Sequence, residues 1–381
     1  MKIEINRGQD QIGGCITTIS TKTTKIVFDF GEELFPRQEI DSAAILKDCH
    51  AVFFSHYHGD HIGLYKNIPL SIPIYMGATA KKIFKVLIAR TDKESLPLVE
   101  RFCEFEPLKS VCIGDIEITP LLVDHSAFDA YMFLIKADGK TILHTGDFRR
   151  HGYRGKALIP VAKKYIGKVD ALIIEGTTLS RMENDVLTEQ HLQQKAASWM
   201  REKKYVFVIC SSTNIERIAA FYHANPRGRY FLCDCYQKDV LSVVTQAASQ
   251  KSNLYNFQKA VVYGKNLEER FLDRGFCMLV RSRDDHRAIL DRYPSENRLV
   301  IYSMWKGYLA ENHKNERLIC LLDGIEYKYL HTSGHADPTT IETLIATVQP
   351  NAILPIHTEN ASWFIKRYPH ITVTENTLDL N

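Results

Sequence analysis

The chain has 381 residues, of which 45% are hydrophobic, 24% charged and 10% aromatic. That length exceeds one ordinary domain and implies two, or one large domain with an insertion, and the composition excludes a disordered or fibrous chain. A formal net charge of +3 is too small to name a partner, and nine cysteines without a C-x-x-C pair exclude a disulfide framework.

In chain order, the first half reads as strands and hairpins. Ile16 to Ser20 and Lys25 to Phe30 flank a polar turn, and Ala51 to Ser55 is an apolar run that stops at a cluster of histidines. Tyr131 to Lys136 and Thr141 to His144 flank Asp138-Gly139, a two-residue hairpin signal. Ala171 to Ile174 runs into Glu175-Gly176-Thr177-Thr178. The texture then changes to alternating helix and strand. Leu192, Ala196 and Trp199 fall on one helical face, Tyr205 to Cys210 is a strand, and Ile215, Ile218, Ala219 and Tyr222 follow at i, i+3, i+4, i+7. Strands are expected at Tyr230 to Cys233, Met278 to Val280 and Leu299 to Tyr302, an alternation that predicts a parallel α/β sheet. Near the end, Tyr327 to His331 is a strand entering Ser333-Gly334-His335-Ala336-Asp337. Asp337 suits a helix N-cap with Pro338 at the first helical position. Ile341, Leu344, Ile345 and Val348 give that helix an apolar face, and a strand at Ala352 to Ile356 ends at His357. No apolar run approaches the ~18 residues of a membrane span, and Met1 to Asp10 is no signal segment. A cytoplasmic protein with free thiols is therefore expected.

The chemistry concentrates in Ser55-His56-Tyr57-His58-Gly59-Asp60-His61. Histidines at alternate positions can place two ring nitrogens on one cation, while the turn swings Asp60 and His61 toward a second. Further ligands are expected at strand ends, where loops converge. His125 follows Leu121 to Val123, Asp147 follows Ile142 to Thr145, and His357 follows Ile353 to Ile356. Histidine and carboxylate donors favour Zn²⁺, with Mn²⁺ as the alternative, and two divalent ions are expected.

The pattern H-x-H-x-D-H followed by a distant His, Asp and His resembles the metallo-β-lactamase superfamily. The resemblance implies a four-layer αββα sandwich. It implies that one cation takes His56, His58, His125 and Asp147, and the other Asp60, His61, Asp147 and His357. Asp147 would bridge, and Asp29 matches the family's structural aspartate. Glu175, His335 and His357, each in its local string, are similar to three further motifs of the β-CASP branch, whose members process nucleic acids and carry an inserted α/β cap. Several strings resemble ribonuclease J-like nucleases. On this reading residues 1–194 and 323–381 make the metallo-β-lactamase domain and 195–322 the β-CASP-like insert.

The resemblance implies a metal-dependent phosphodiesterase that cleaves single-stranded RNA by attack of a metal-bridging hydroxide on phosphorus. Asp60 would serve the metals and the reaction, His335 would protonate the departing ribose oxygen, and Glu175 would orient a ligand histidine. Phosphate would lie on Ser333, Gly334 and Ala336 and on the helix start at Ser212, Thr213 and Asn214. Two alternatives stay open: a small-molecule thioester or lactone hydrolase, and a non-catalytic β-CASP scaffold subunit. A homodimer is the assembly considered, and no membrane partner is expected.

Overall fold

Inward-facing apolar residues at period two build the first strands. In β1 (Lys2–Arg7) Ile3 and Ile5 are buried while Lys2 and Glu4 reach the surface. Next in chain order come β2 (Ile16–Ser20), β3 (Lys25–Phe28), β4 (Ala51–Phe53), β5 (Ile74–Gly77) and β6 (Cys103–Phe105). Then follow β7 (Val111–Ile113), β8 (Ile116–Val123), β9 (Ala130–Ala137), β10 (Lys140–His144) and β11 (Ala171–Glu175). Asp138 and Gly139 both take positive φ, 50° and 69°, so the expected two-residue turn closes β9 onto β10. A computed structural model gives these positions; it describes all residues except 35–39, 182–185, 249–251, 265–267, 311–313, 375 and 381.

The middle of the chain contributes β12 (Tyr205–Ile209), β13 (Tyr230–Cys233), β14 (Ala260–Val262), β15 (Phe276–Val280), β16 (Arg298–Tyr302) and β17 (Lys328–Tyr329). The last three strands are β18 (Ala352–Ile356), β19 (Thr372–Val373) and β20 (Thr377–Asp379). Contacts divide the chain into two compact units: Met1–Arg150, Arg154–Asp185 and Gly334–Asn381 form one, and His151–Tyr153 with Val186–Ser333 form the other.

In the first unit, one seven-stranded sheet has the order β20-β1-β2-β3-β4-β5-β6 and another the order β19-β18-β11-β10-β9-β8-β7. Their inner faces share a core in which Ile3, Ile19, Phe28 and Phe53 meet Ile118, Phe133, Ile142 and Ile173. Each such fully buried side chain contributes about 1.5–3 kcal/mol. The other face of the second sheet packs Leu134, Leu143 and Leu172 against Ile341, Leu344 and Ile345 of helix Pro338–Val348. Outside the first sheet, Phe54 meets Phe102, and Phe102 packs with Phe84 of helix Ala78–Thr91. Helix, sheet, sheet, helix is the four-layer sandwich expected above.

The second unit holds one sheet, β14-β13-β15-β12-β16-β17, parallel throughout. Its central strands β12, β15 and β16 are almost wholly buried, which is why they read as continuous apolar runs rather than alternation. In helix Glu189–Glu202 the buried stripe is Leu192, Ala196 and Met200. Trp199, expected on that face, stays partly exposed because the spacing of four continues to residue 200. The strand expected at Tyr327 to His331 is only the two residues of β17, which pair at the sheet edge beside Ile301 and Tyr302.

Candidate metal centre

Parallel pairing brings the loops after several strands to one end of the first unit. β10, β11 and β18 are neighbours that run in parallel, and β3 and β4 are parallel in the other sheet. Their C-terminal ends deliver Asp147, Glu175, His357, Asp29 and the His56–His61 turn. β8 is two antiparallel steps from β10, so it points the same way and delivers His125.

Backbone bonds hold the turn against the loop after β3. Cys15 N–H donates to Asp60 O at 2.9 Å, Phe30 N–H to His61 O at 2.7 Å and Glu32 N–H to Gly59 O at 2.9 Å. Gly31 is required by this approach, since a Cβ there would lie 1.8 Å from the Asp60 carbonyl oxygen. Asp29 and His357 both adopt left-handed backbone, with φ of 56° and 50°. Such strain is kept where the surroundings over-determine it.

Asp29 is wholly buried and fixes two side chains. Its Oδ1 accepts the Ser55 N–H at 2.8 Å, and its Oδ2 accepts the Ser55 hydroxyl at 2.8 Å. The Nδ1–H of His61 donates to the same Oδ2 at 2.7 Å. That leaves His61 Nε2 facing Asp147 Oδ2 at 3.2 Å, buried and with no hydrogen-bond partner.

Three more ring nitrogens converge beside it. His58 Nδ1 lies 3.0 Å from His56 Nε2 and 3.2 Å from His125 Nε2. His125 donates its Nδ1–H to Gly334 O at 2.7 Å, so its lone pair is on Nε2. Burial pushes the pKa of His56 and His125 well down and that of His58 to about 4. Three neutral imidazoles cannot all satisfy one another at these distances, because lone pairs would face each other; a cation between them resolves the conflict.

Asp147 Oδ2 stands between the groups. It lies 3.2 to 3.8 Å from ring nitrogens of His56, His61, His125, His335 and His357. Burial alone would raise its pKa, but the charges of His357, His61 and His335 hold the carboxyl ionised, well below the ordinary range. Neither of its buried oxygens has a hydrogen-bond partner. An ionised buried carboxylate without a donor is costly, so the donor set fits bound cations. On the far side Asp60 Oδ2 lies 3.0 Å from His357 Nε2. Among the described residues, the donor groups that could hold an ion include His56 with His58 and His125, and His56 with His61 and Asp147.

Residues 24–207 match the family model of the beta-lactamase superfamily domain. That stretch carries a beta-lactamase superfamily domain. Ribonuclease J of Helicobacter pylori is 28% identical over 399 residues, 94% of this chain and 56% of that relative. Cleavage and polyadenylation specificity factor subunit 3 of Dictyostelium discoideum is 24% identical over 419 residues, 91% of this chain and 52% of that one. The chain thus spans little more than half the length of these curated relatives. A crystal structure of a protein of unknown function from Enterococcus faecalis V583 matches with a TM-score of 0.78 at 21% identity, covering 100% of this chain and 99% of that chain. At that identity the likeness is one of fold.

Within the first unit, His56, His58, Asp60, His61, His125, Asp147 and His357 are brought together. Glu175 and His335 adjoin them: His335 Nδ1–H donates to Glu175 Oε2 at 3.0 Å, and Glu175 Oε1 accepts the Phe148 N–H at 2.8 Å. Glu175 reaches the His357 ring through the Thr177 hydroxyl, and Asp147, Glu175, His335 and His357 form a further donor group that could hold an ion. The Ala336 N–H, expected on phosphate, instead faces Glu175 Oε1 at 3.4 Å, and Gly334 O is taken by His125. In the other unit Ser333 O accepts from His151 Nε2 at 2.7 Å. Ser212, Thr213 and Asn214 follow β12 there, and Asn214 Oδ1 caps helix Ile215–Ala224 through the Arg217 N–H. Sequence reading missed Ser55 and Thr177, since a hydroxyl carries no spacing signal for partners far along the chain.

Proposed function

We propose that the chain is a cytoplasmic metal-dependent nuclease that cleaves single-stranded RNA. The observation that carries the reading is Asp147 Oδ2, buried, ionised and unpartnered among five imidazoles. The names of the relatives, ribonuclease J and a cleavage and polyadenylation factor, favour RNA. We read residues 195–322 as a β-CASP-like insert and residues 1–194 and 323–381 as the catalytic domain.

His56, His58, His125 and Asp147 would hold one Zn²⁺, and Asp60, His61, Asp147 and His357 the other. When bound, such a pair lowers the pKa of water and screens phosphoryl charge. The chain's own groups do the rest. Asp29 keeps the proton of His61 on Nδ1, so Nε2 faces the centre. Glu175 accepts the Nδ1–H of His335 and orients the ring, so that Nε2 can pass a proton to the departing ribose oxygen.

The test is cleavage of one labelled single-stranded RNA, with 5′-phosphate or 5′-hydroxyl, in Zn²⁺, Mn²⁺ or chelator, beside Asp60→Ala. Metal-dependent cleavage that Asp60→Ala abolishes supports the nuclease, and the product ladder separates end-directed from internal cutting. No cleavage by protein with metal bound overturns it, and turnover of a thioester or lactone would then assign the other chemistry.

A further inference from the structure

The segment after β11 places a hydroxyl where no sequence motif required one. Thr177 is 1% exposed, and its Oγ1 lies 2.6 Å from Glu175 Oε2 and 2.7 Å from His357 Nδ1. It also lies 3.1 Å from His335 Nδ1. A hydroxyl has one proton to give and lone pairs to accept with. Two groups here can only accept, the Glu175 carboxylate and the His357 carbonyl oxygen at 3.2 Å; the carboxylate bond is much the shorter, so the Thr177 proton goes to Glu175. The oxygen is then left as an acceptor toward His357, whose Nδ1 must carry hydrogen to bond with it.

We propose that Thr177 is a positioning residue that fixes the tautomer of His357, with the ring proton on Nδ1 and Nε2 presented bare to the metal centre. Glu175 thereby governs two imidazoles: His335 directly and His357 through one hydroxyl. The direction of the chain matters. Without a cation, Nε2–H donates to Asp60 Oδ2 at 3.0 Å; a bound metal would displace that proton, and the Nδ1–H held by Thr177 ensures that Nε2 is the nitrogen bared. Asp29 performs the same service for His61 with a carboxylate. In this unit, then, His61 and His357 are held by their Nδ1 atoms from opposite sheets, one after β3 and one after β11, as His125 is by Gly334 O. The inference rests on the metal-centre reading, not on RNA as substrate.

The experiment compares the parent protein with Thr177→Val, which keeps the shape and loses the hydroxyl, and Thr177→Ser, which keeps the hydroxyl. Zinc affinity is measured by competition with a chelating dye, and histidine tautomers by ¹⁵N–¹H long-range spectra of the zinc-loaded protein. The expected result is a His357 ring with hydrogen on Nδ1 in the parent. Thr177→Val should bind its weaker zinc equivalent roughly 10–100-fold less tightly, the usual cost of losing such an orienting partner. Thr177→Ser should stay within about 3-fold of the parent, as the bond is retained. Equal zinc binding by Thr177→Val and the parent overturns the proposal. So does equal damage by Val and Ser, which would make the methyl group the functional part. If Thr177→Val does not fold, the parent spectrum alone decides, because a His357 Nδ1 without hydrogen contradicts the assignment. A parent that binds two zincs in the expected tautomer yet cleaves no RNA removes the nuclease and leaves Thr177 in place.

Discussion

Asp147 is the residue whose replacement separates a metal role from any other. Asp147→Asn keeps the shape but removes the charge that five imidazoles surround. Bound metal should fall well below the parental content, measured by elemental analysis after desalting, and turnover should drop about 100-fold or more. His335→Ala gives the contrasting pattern. It removes a group bonded to Glu175, whose other partners at Phe148 and Thr177 remain. Metal content should stay at the parental level while kcat falls about 10²–10⁴-fold, the range for a lost general acid. A collapse of metal content in His335→Ala would reassign that histidine to the ligand set. The seven candidate ligands were legible because four ligand-type residues fall within six positions and the others end apolar strands. Thr177 was not, because its partner His357 is 180 residues away and threonine after a strand is commonplace.

Among the elements, a strong local dependence lies in the second unit. Arg217 is fully buried on helix Ile215–Ala224. It pairs with Glu189 through Nε at 2.9 Å and donates through its other nitrogens to Ser303 Oγ at 2.7 Å and Thr332 O at 2.9 Å. The start of helix Glu189–Glu202, the end of β16 and the segment after β17 are thus tied to one guanidinium. Glu189→Ala should cost about 3–5 kcal/mol in urea unfolding followed by tryptophan fluorescence, since it strands a buried charge. Replacing both partners with apolar residues of similar volume should recover most of that loss. If the double variant is no better than the single one, the bonds to Ser303 and Thr332 matter more than the ion pair. The sequence put a phosphate-binding helix start at Ser212, Thr213 and Asn214, and nothing in it shows that the Arg217 side chain one turn on points inward. Helix Ala78–Thr91 shows the opposite failure. Its stripe of Ala80, Ile83, Phe84 and Ile88 has helical spacing in plain view, yet the surrounding strand texture masked it.

For the first unit as a whole, acid should be the most damaging perturbation, and His144 gives the effect a residue outside the ligand set. It lies on β10 with its ring stacked on Phe28, and its Nδ1 accepts the Gly146 N–H at 3.1 Å. The proton is therefore on Nε2, which is buried without a partner. Burial lowers its pKa from the ordinary 6.5 to about 4. The unfolded chain takes up that proton first as pH falls, so the contribution is fully present above about 6.5 and is lost progressively down to about 4. A shift of that size corresponds to about 3 kcal/mol. His56, His58 and His125 are buried neutral as well, but bound cations would compete with protons for them. The measurement is therefore best made on zinc-loaded protein, comparing urea stability between pH 7 and 4 for the parent and His144→Gln, whose carbonyl can still accept from Gly146. The variant should lose less stability over that range, by about 3 kcal/mol at the acid end. Parallel curves for the two proteins would mean that His144 stays neutral in the unfolded chain too or is reached by water in the folded one, and the acid sensitivity would then belong to the metal ligands alone.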